Sequence, residues 1–173
     1  MRGEVYLFNL SLLALTFTAV SALVMLMRQT MGGKLSNFDV YLIATYTSLG
    51  FVVAFDAILP SLVDLYEPRP ALLWAISSGV AAILLAAVMA NVLRARARAT
   101  HERLSRPLVV IFGIHWFDVF LLAVNATIPT VQGSGLFATA LTLSFGVLLV
   151  AFVRRIGSLL GEKPGEDWDP KRG

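Results

Sequence analysis

Arg94–Arg106, RARARATHERLSR, holds five arginines, one histidine and one glutamate between two long apolar runs. Such a segment does not sit in hydrocarbon, where a single arginine at the bilayer centre costs about 2.5–3.5 kcal/mol on insertion scales. It therefore reads as a loop beside a membrane, and the apolar runs flanking it read as spanning helices. The side on which this loop lies then orients every other segment.

The rest of the composition agrees. The chain has 173 residues, of which 57% are hydrophobic and 14% charged. A soluble domain carries about 25% charged and about 45–50% apolar residues. Apolar runs of about 20 residues match the thickness of a bilayer core. There is room for one membrane domain and a short tail, not for an added catalytic domain. The chain has no cysteine, which excludes disulfides, thiolate nucleophiles and Cys-ligated clusters. Its net charge is +3 and its basic residues gather at segment ends, a pattern of membrane topology rather than of nucleic-acid binding. Val20-Ser21-Ala22 looks like a signal cleavage site. However, Glu4 offsets Arg2 and the apolar run continues to Met27, so the N-terminus reads as an uncleaved first helix.

The expected architecture is an all-α polytopic membrane bundle with five spans, at about 5–27, 40–60, 71–93, 107–128 and 136–153. Arg28 closes the first span. Before the second, Ser36 with Asp39 matches a capping box and Leu35 with Val40 a hydrophobic staple. Pro60 ends the second span or kinks it, in which case the helix runs on to Leu65, and Tyr66–Pro70 forms a rigid antiparallel turn. Pro107 suits a first helical turn, with Ser105 as its cap. Arg154 and Arg155 stop the fifth span, and residues 157–173, rich in Pro, Gly and mixed charge, read as a disordered tail. Small residues form ridges at Ala14, Thr18 and Ala22, at Ser78, Ala82, Ala86 and Ala90, and at Ala138, Thr142 and Gly146. Such ridges allow close helix approach in lipid. The one on the third span suggests a central helix or an oligomer contact, and together they favour a homo-oligomer.

Five spans put Arg28–Asn37, Arg94–Arg106 and the chain from Arg154 onward on one side, with twelve of the fourteen Lys and Arg residues. Only Arg2 and Arg69 fall opposite. The positive-inside rule gives the N-terminus outside, the C-terminus in the cytoplasm, and a place in the cytoplasmic (inner) membrane. Tyr6, Tyr66 and Trp74 then fall at the outer interface, and Phe38 and Tyr41 at the inner one. Arg94, Arg96, Arg98, Arg103 and Arg106 read as topology anchors in contact with anionic lipid headgroups. A voltage sensor places arginine at every third residue within a span; the spacing of two at Arg94, Arg96 and Arg98 splays them around a helix instead.

Intramembrane ionisable groups are costly and hence informative. Asp118 lies roughly 16 Å along the fourth span from Pro107, near the midplane. His115 shares its face at i−3, and Asn125 continues the line two turns later. One reading is a proton or cation pathway, with Asp118 as carrier, His115 as relay, and Asn125 and Asp56 towards the exit. The other is a polar staple, in which a protonated Asp118 bonds His115 or a hydroxyl on a neighbouring helix. Asp56, roughly 24 Å from the inner end of the second span, reads as the partner of Arg69 in an interfacial salt bridge, or as part of an outward vestibule. Thr45, Thr47 and Ser48 lie lower on that span, where helical hydroxyls mostly bond back to their own backbone.

A transition metal held by His115 and Asp118 needs two further ligands. The only other histidine, His101, is in the basic loop, so neither a metal nor a cofactor is expected. No nucleophile–base pair, phosphate-binding Gly loop or HExxH motif points to an enzyme. Two functional classes remain: a small channel or transporter-like protein for protons or small cations, and a non-catalytic membrane subunit or scaffold whose basic loop and tail dock a cytoplasmic partner.

Overall fold

The structure, a computed structural model, describes residues 3–30, 37–66, 68–99 and 106–161. In order, its helices are α1 (Glu4–Thr30), α2 (Asn37–Asp64), α3 (Pro70–Ala99), α4 (Arg106–Thr127) and α5 (Ser134–Gly161). All five are long and apolar enough to cross a membrane.

The distribution of side chains fits hydrocarbon as the solvent. Phe8, Phe51, Phe55, Ile83, Phe117, Phe120 and Val153 face outward, whereas Ser11, Asp56, Ser77, His115, Asp118, Asn125 and Ser144 are buried. In water, so much exposed apolar surface would be an aggregation liability. In lipid it costs nothing, while backbone and side-chain polar groups must be satisfied internally. A multi-pass membrane architecture accounts for both halves of this pattern.

Several helix ends differ from those read in the sequence. α3 runs past Leu93 to Ala99, so Arg94, Arg96 and Arg98 belong to its last turns rather than to a loop. Alanine and arginine are both good helix formers, and cations suit the carbonyl-bearing C-terminal end. Arg94 is exposed and Arg96 buried, as two positions about 200° apart on one helix require. The side chains of Arg98 and Arg106, and all of Arg103, lie outside the described residues, as does the Ser36 capping box. α2 passes through Pro60 to Asp64; neighbouring helices hold the fully buried ring in place. α5 continues to Gly161, so the first residues of the expected tail are helical. Residues 162–173 lie outside the described residues.

Consecutive helices pack as antiparallel neighbours, and α5 returns to touch α1, α2 and α3 as well as α4. Aromatic rings explain this position. Phe152 meets Phe17 of α1 edge-on at 5.0 Å and Tyr46 of α2 at 5.6 Å. Phe145 meets Phe17 at 5.8 Å, and Phe137 packs on Trp74 of α3 at 5.7 Å. Such offset contacts stabilise by about 0.5–1.5 kcal/mol each beyond area burial. α5 is thus the helix shared by the whole bundle.

The small-residue ridges occupy different settings. Ala14 and Thr18 are buried where α1 meets α2, with Gly50 opposite them; Ser11 donates to the Ala54 carbonyl across the same seam at 2.9 Å. Ala22 is half-buried. On α3, Ser78 and Ala82 are buried, with Ser78 against α4, while Ala86 and Ala90 are half-buried. On α5, Ala138 and Gly146 are half-buried and Thr142 is exposed. Thr142 donates to the Ala138 carbonyl and accepts from the Tyr6 hydroxyl, both at 2.6 Å.

Candidate functional site

Among the described side chains of α4, the buried ones are His115, Asp118, Leu122 and Asn125. Their spacing of three, four and three keeps them on one face of a 3.6-residue helix. That face packs between α3 and α5. The stripe expected from the sequence is therefore the seam by which α4 joins the bundle, and it is mainly polar.

The first cluster is built around Asp118. Ser144 of α5 donates its hydroxyl to Asp118 Oδ2 at 2.6 Å. His115 Nδ1 lies 3.4 Å from the same Ser144 Oγ and 3.9 Å from Asp118 Oδ2. With the Ser144 proton directed at Asp118, Ser144 Oγ accepts from His115 in the tautomer that carries hydrogen on Nδ1. The sequence order His115–Ser144–Asp118 in space differs from a nucleophilic triad, in which the imidazole lies between serine and carboxylate. Here the hydroxyl sits between the imidazole and the carboxylate. Asp118 Oδ1 is buried and has no hydrogen-bond partner.

Ser144 was not among the residues singled out from the sequence. Its signal was present: among the described side chains of α5, Phe137, Ala140, Leu141, Ser144, Leu148 and Phe152 are the buried ones, and Ser144 is the one polar member of that stripe.

The second cluster is built around Asn125. Its Nδ2 donates to Ser78 Oγ of α3 at 2.7 Å and to the Gly133 carbonyl at 3.3 Å. Its Oδ1 accepts from the Gly133 N–H at 2.9 Å. One amide thus ties α3, α4 and the α4–α5 turn together, and supplies a buried donor and acceptor as hydrocarbon demands. Asp118 and Asn125 lie seven residues apart, roughly 10 Å along the axis. Leu122, fully buried, occupies the same face between them. The two clusters are therefore separate, with an apolar plug in the line that joins them.

Asp56 departs from the expected salt bridge. It is fully buried and neither carboxyl oxygen has a hydrogen-bond partner, whereas Arg69 is exposed in the α2–α3 turn. The turn lies beyond the end of α2, eight residues past Asp56, roughly 12 Å along the helix, and the carboxyl points into the bundle. Ser77 of α3 is likewise fully buried with an unpartnered hydroxyl. Lower on α2, Thr45 bonds back to the Tyr41 carbonyl, as helical threonines commonly do. Among the described residues, no group of three or more His, Cys, Asp and Glu side chains converges on a point.

Comparisons with protein-family models, with curated proteins and with solved structures gave no match.

Proposed function

We propose that this multi-pass membrane protein carries protons or small cations across the bilayer, with Asp118 as carrier and Ser144 and His115 as its relay. The observation that carries this reading is the divided environment of the Asp118 carboxyl. Oδ2 is bound into the relay, while Oδ1 is buried and open. In hydrocarbon an unsatisfied polar atom costs several kcal/mol. A purely structural staple has no use for that cost, whereas a group that exchanges a proton or an ion needs a free lone pair. Leu122 stands as the barrier between the carrier and the polar end marked by Asn125 and Ser78, so passage needs a motion of α4 or its side chains. By the positive-inside rule the basic segment from Arg94 to Arg106 belongs on the cytoplasmic side, with the N-terminus outside.

A second reading, a non-catalytic membrane subunit or scaffold, is favoured by one observation. The Asn125 cluster is fully satisfied and links α3, α4 and the α4–α5 turn, as a structural staple should. Neither reading assigns an enzymatic reaction, since Ser144 donates its proton to the carboxylate rather than to an imidazole base.

The test is decay of a pH gradient, and in parallel of sodium and potassium gradients, in liposomes holding the purified full chain. A carrier role predicts gradient decay above empty liposomes, lost in Asp118→Asn with helix content unchanged. No decay in the parent protein, with a stability loss in the variant, would transfer the assignment to the scaffold.

A further inference from the structure

We propose that α2 and α3 form a binding site for a small hard monovalent cation, sodium or lithium, built from Asp56 and Ser77. The site is separate from the Asp118 cluster and does not depend on a transport role.

The helical wheel brings the two side chains to one interface. α2 touches α1, α3 and α5. Gly50 and Ala54 face α1, where Thr18 and Ser11 meet them. Tyr46 faces α5 through Phe152. Asp56 lies two residues beyond Ala54, about 200° around the helix, and so turns away from α1 towards α3. α3 in turn touches α2, α4 and α5. Ser78 faces α4 through Asn125, and Trp74 faces α5 through Phe137. The remaining buried stripe, Leu73, Ser77 and Ala81, is left for α2. Depth agrees with direction. Asp56 is eight residues before the end of α2 and Ser77 seven after the start of α3, so each lies about two helical turns from the α2–α3 connection.

Three oxygens at this place have no hydrogen-bond partner, and a fourth loses its regular helical donor. Two are the Asp56 carboxyl oxygens, and the third is Ser77 Oγ. The fourth is the backbone carbonyl of Asp56, which loses its usual helical donor. Its helical donor would be the N–H of residue 60, which is a buried proline inside α2 and has none. Ser77 sharpens the point. Thr16, Thr18, Ser21, Thr45, Thr127, Thr139 and Thr142 all donate to the carbonyl four residues back, the cheap solution for a hydroxyl in lipid. Ser77, buried deeper than most of them, makes no such bond.

Oxygen donors without nitrogen or sulfur select a hard cation. A single carboxylate balances one positive charge, and a divalent ion would leave a net charge in a low-dielectric interface. Neither Asp56 nor Ser77 satisfies the other, since all three of their side-chain oxygens are buried without a hydrogen-bond partner.

The test is the unfolding temperature of the full chain in detergent micelles with sodium, lithium, potassium or choline chloride at equal ionic strength. Sodium or lithium should raise it saturably over choline, by roughly 5–10 °C at a concentration about 100-fold above Kd. Asp56→Asn should abolish the rise. Ser77→Ala removes one ligand, and Pro60→Ala gives the Asp56 carbonyl a donor while keeping the carboxylate. Each should weaken apparent affinity about tenfold. Asp118→Asn should keep the full response, so failure of this site and failure of the carrier role are told apart. A rise equal in choline, a rise retained in Asp56→Asn, or unchanged affinity in both Ser77→Ala and Pro60→Ala would overturn the site, the last pair deciding even where Asp56→Asn does not fold.

Discussion

Replacing Asn125 with alanine should destabilise the bundle by about 2–4 kcal/mol, a value that follows from its three hydrogen bonds. Side-chain hydrogen bonds between membrane helices average about 0.6 kcal/mol and reach about 1.7. Three such bonds give about 2 kcal/mol. The variant also leaves Ser78 Oγ without its donor in a fully buried position, which adds about 1–2 kcal/mol for an unsatisfied hydroxyl. Gly133 is only part-buried, so water at the turn offsets its loss. The assay is reversible unfolding in mixed micelles with increasing SDS, followed by helical circular dichroism. Asn125→Asp makes the partition visible. It keeps an acceptor for the Gly133 N–H and loses both donor bonds, so its cost should fall on the donor side. A double-mutant cycle with Ser78→Ala should return a coupling of about 0.6 kcal/mol or more. An Asn125→Ala variant within about 0.5 kcal/mol of the parent would refute the view that this amide holds three segments together.

Two other perturbations probe packing and topology. A Cβ at Gly50 would run into the Thr18 hydroxyl on α1, so Gly50→Ala should cost about 1–3 kcal/mol in the same unfolding assay. Thr18→Ala should recover most of that loss, and independent, additive costs would contradict the close approach. The chain has no cysteine, which makes single-cysteine labelling clean. In intact cells a membrane-impermeant maleimide should label Thr130→Cys and spare His101→Cys, and the opposite pattern would reverse the orientation.

The number and order of the helices were legible because a bilayer forces each span to be a long apolar run. Their ends were less so. Charge at Arg94 and a ring at Pro60 mark where lipid or a donor ends, not where helical backbone ends, and α3 and α2 continue through both. The polar face of α4 was legible from spacing alone, since His115, Asp118 and Asn125 recur at helical intervals. Its partner was not. A single serine in an apolar run, such as Ser144 or Ser77, looks like any helical hydroxyl that bonds back to its own backbone. Only the azimuth of α5 and α3 shows where each points. The pairing of Asp56 with Arg69 failed for the same reason: depth along one helix says nothing about the direction in which a carboxyl turns.

A proton carrier at Asp118 must gain and lose a proton while it stays buried between α4 and α5. Infrared difference spectra of the full chain in lipid, titrated between about pH 2.5 and pH 9 to bracket ordinary carboxyl and imidazole ionisation, read that event in the carboxyl C=O stretch. A carrier role predicts a pH-dependent carboxylic acid band that is absent in Asp118→Asn and shifted in Ser144→Ala, where the donor to Oδ2 is lost. Spectra with no Asp118-dependent change across that range would contradict it, and would leave Asp118 as a fixed link between two helices.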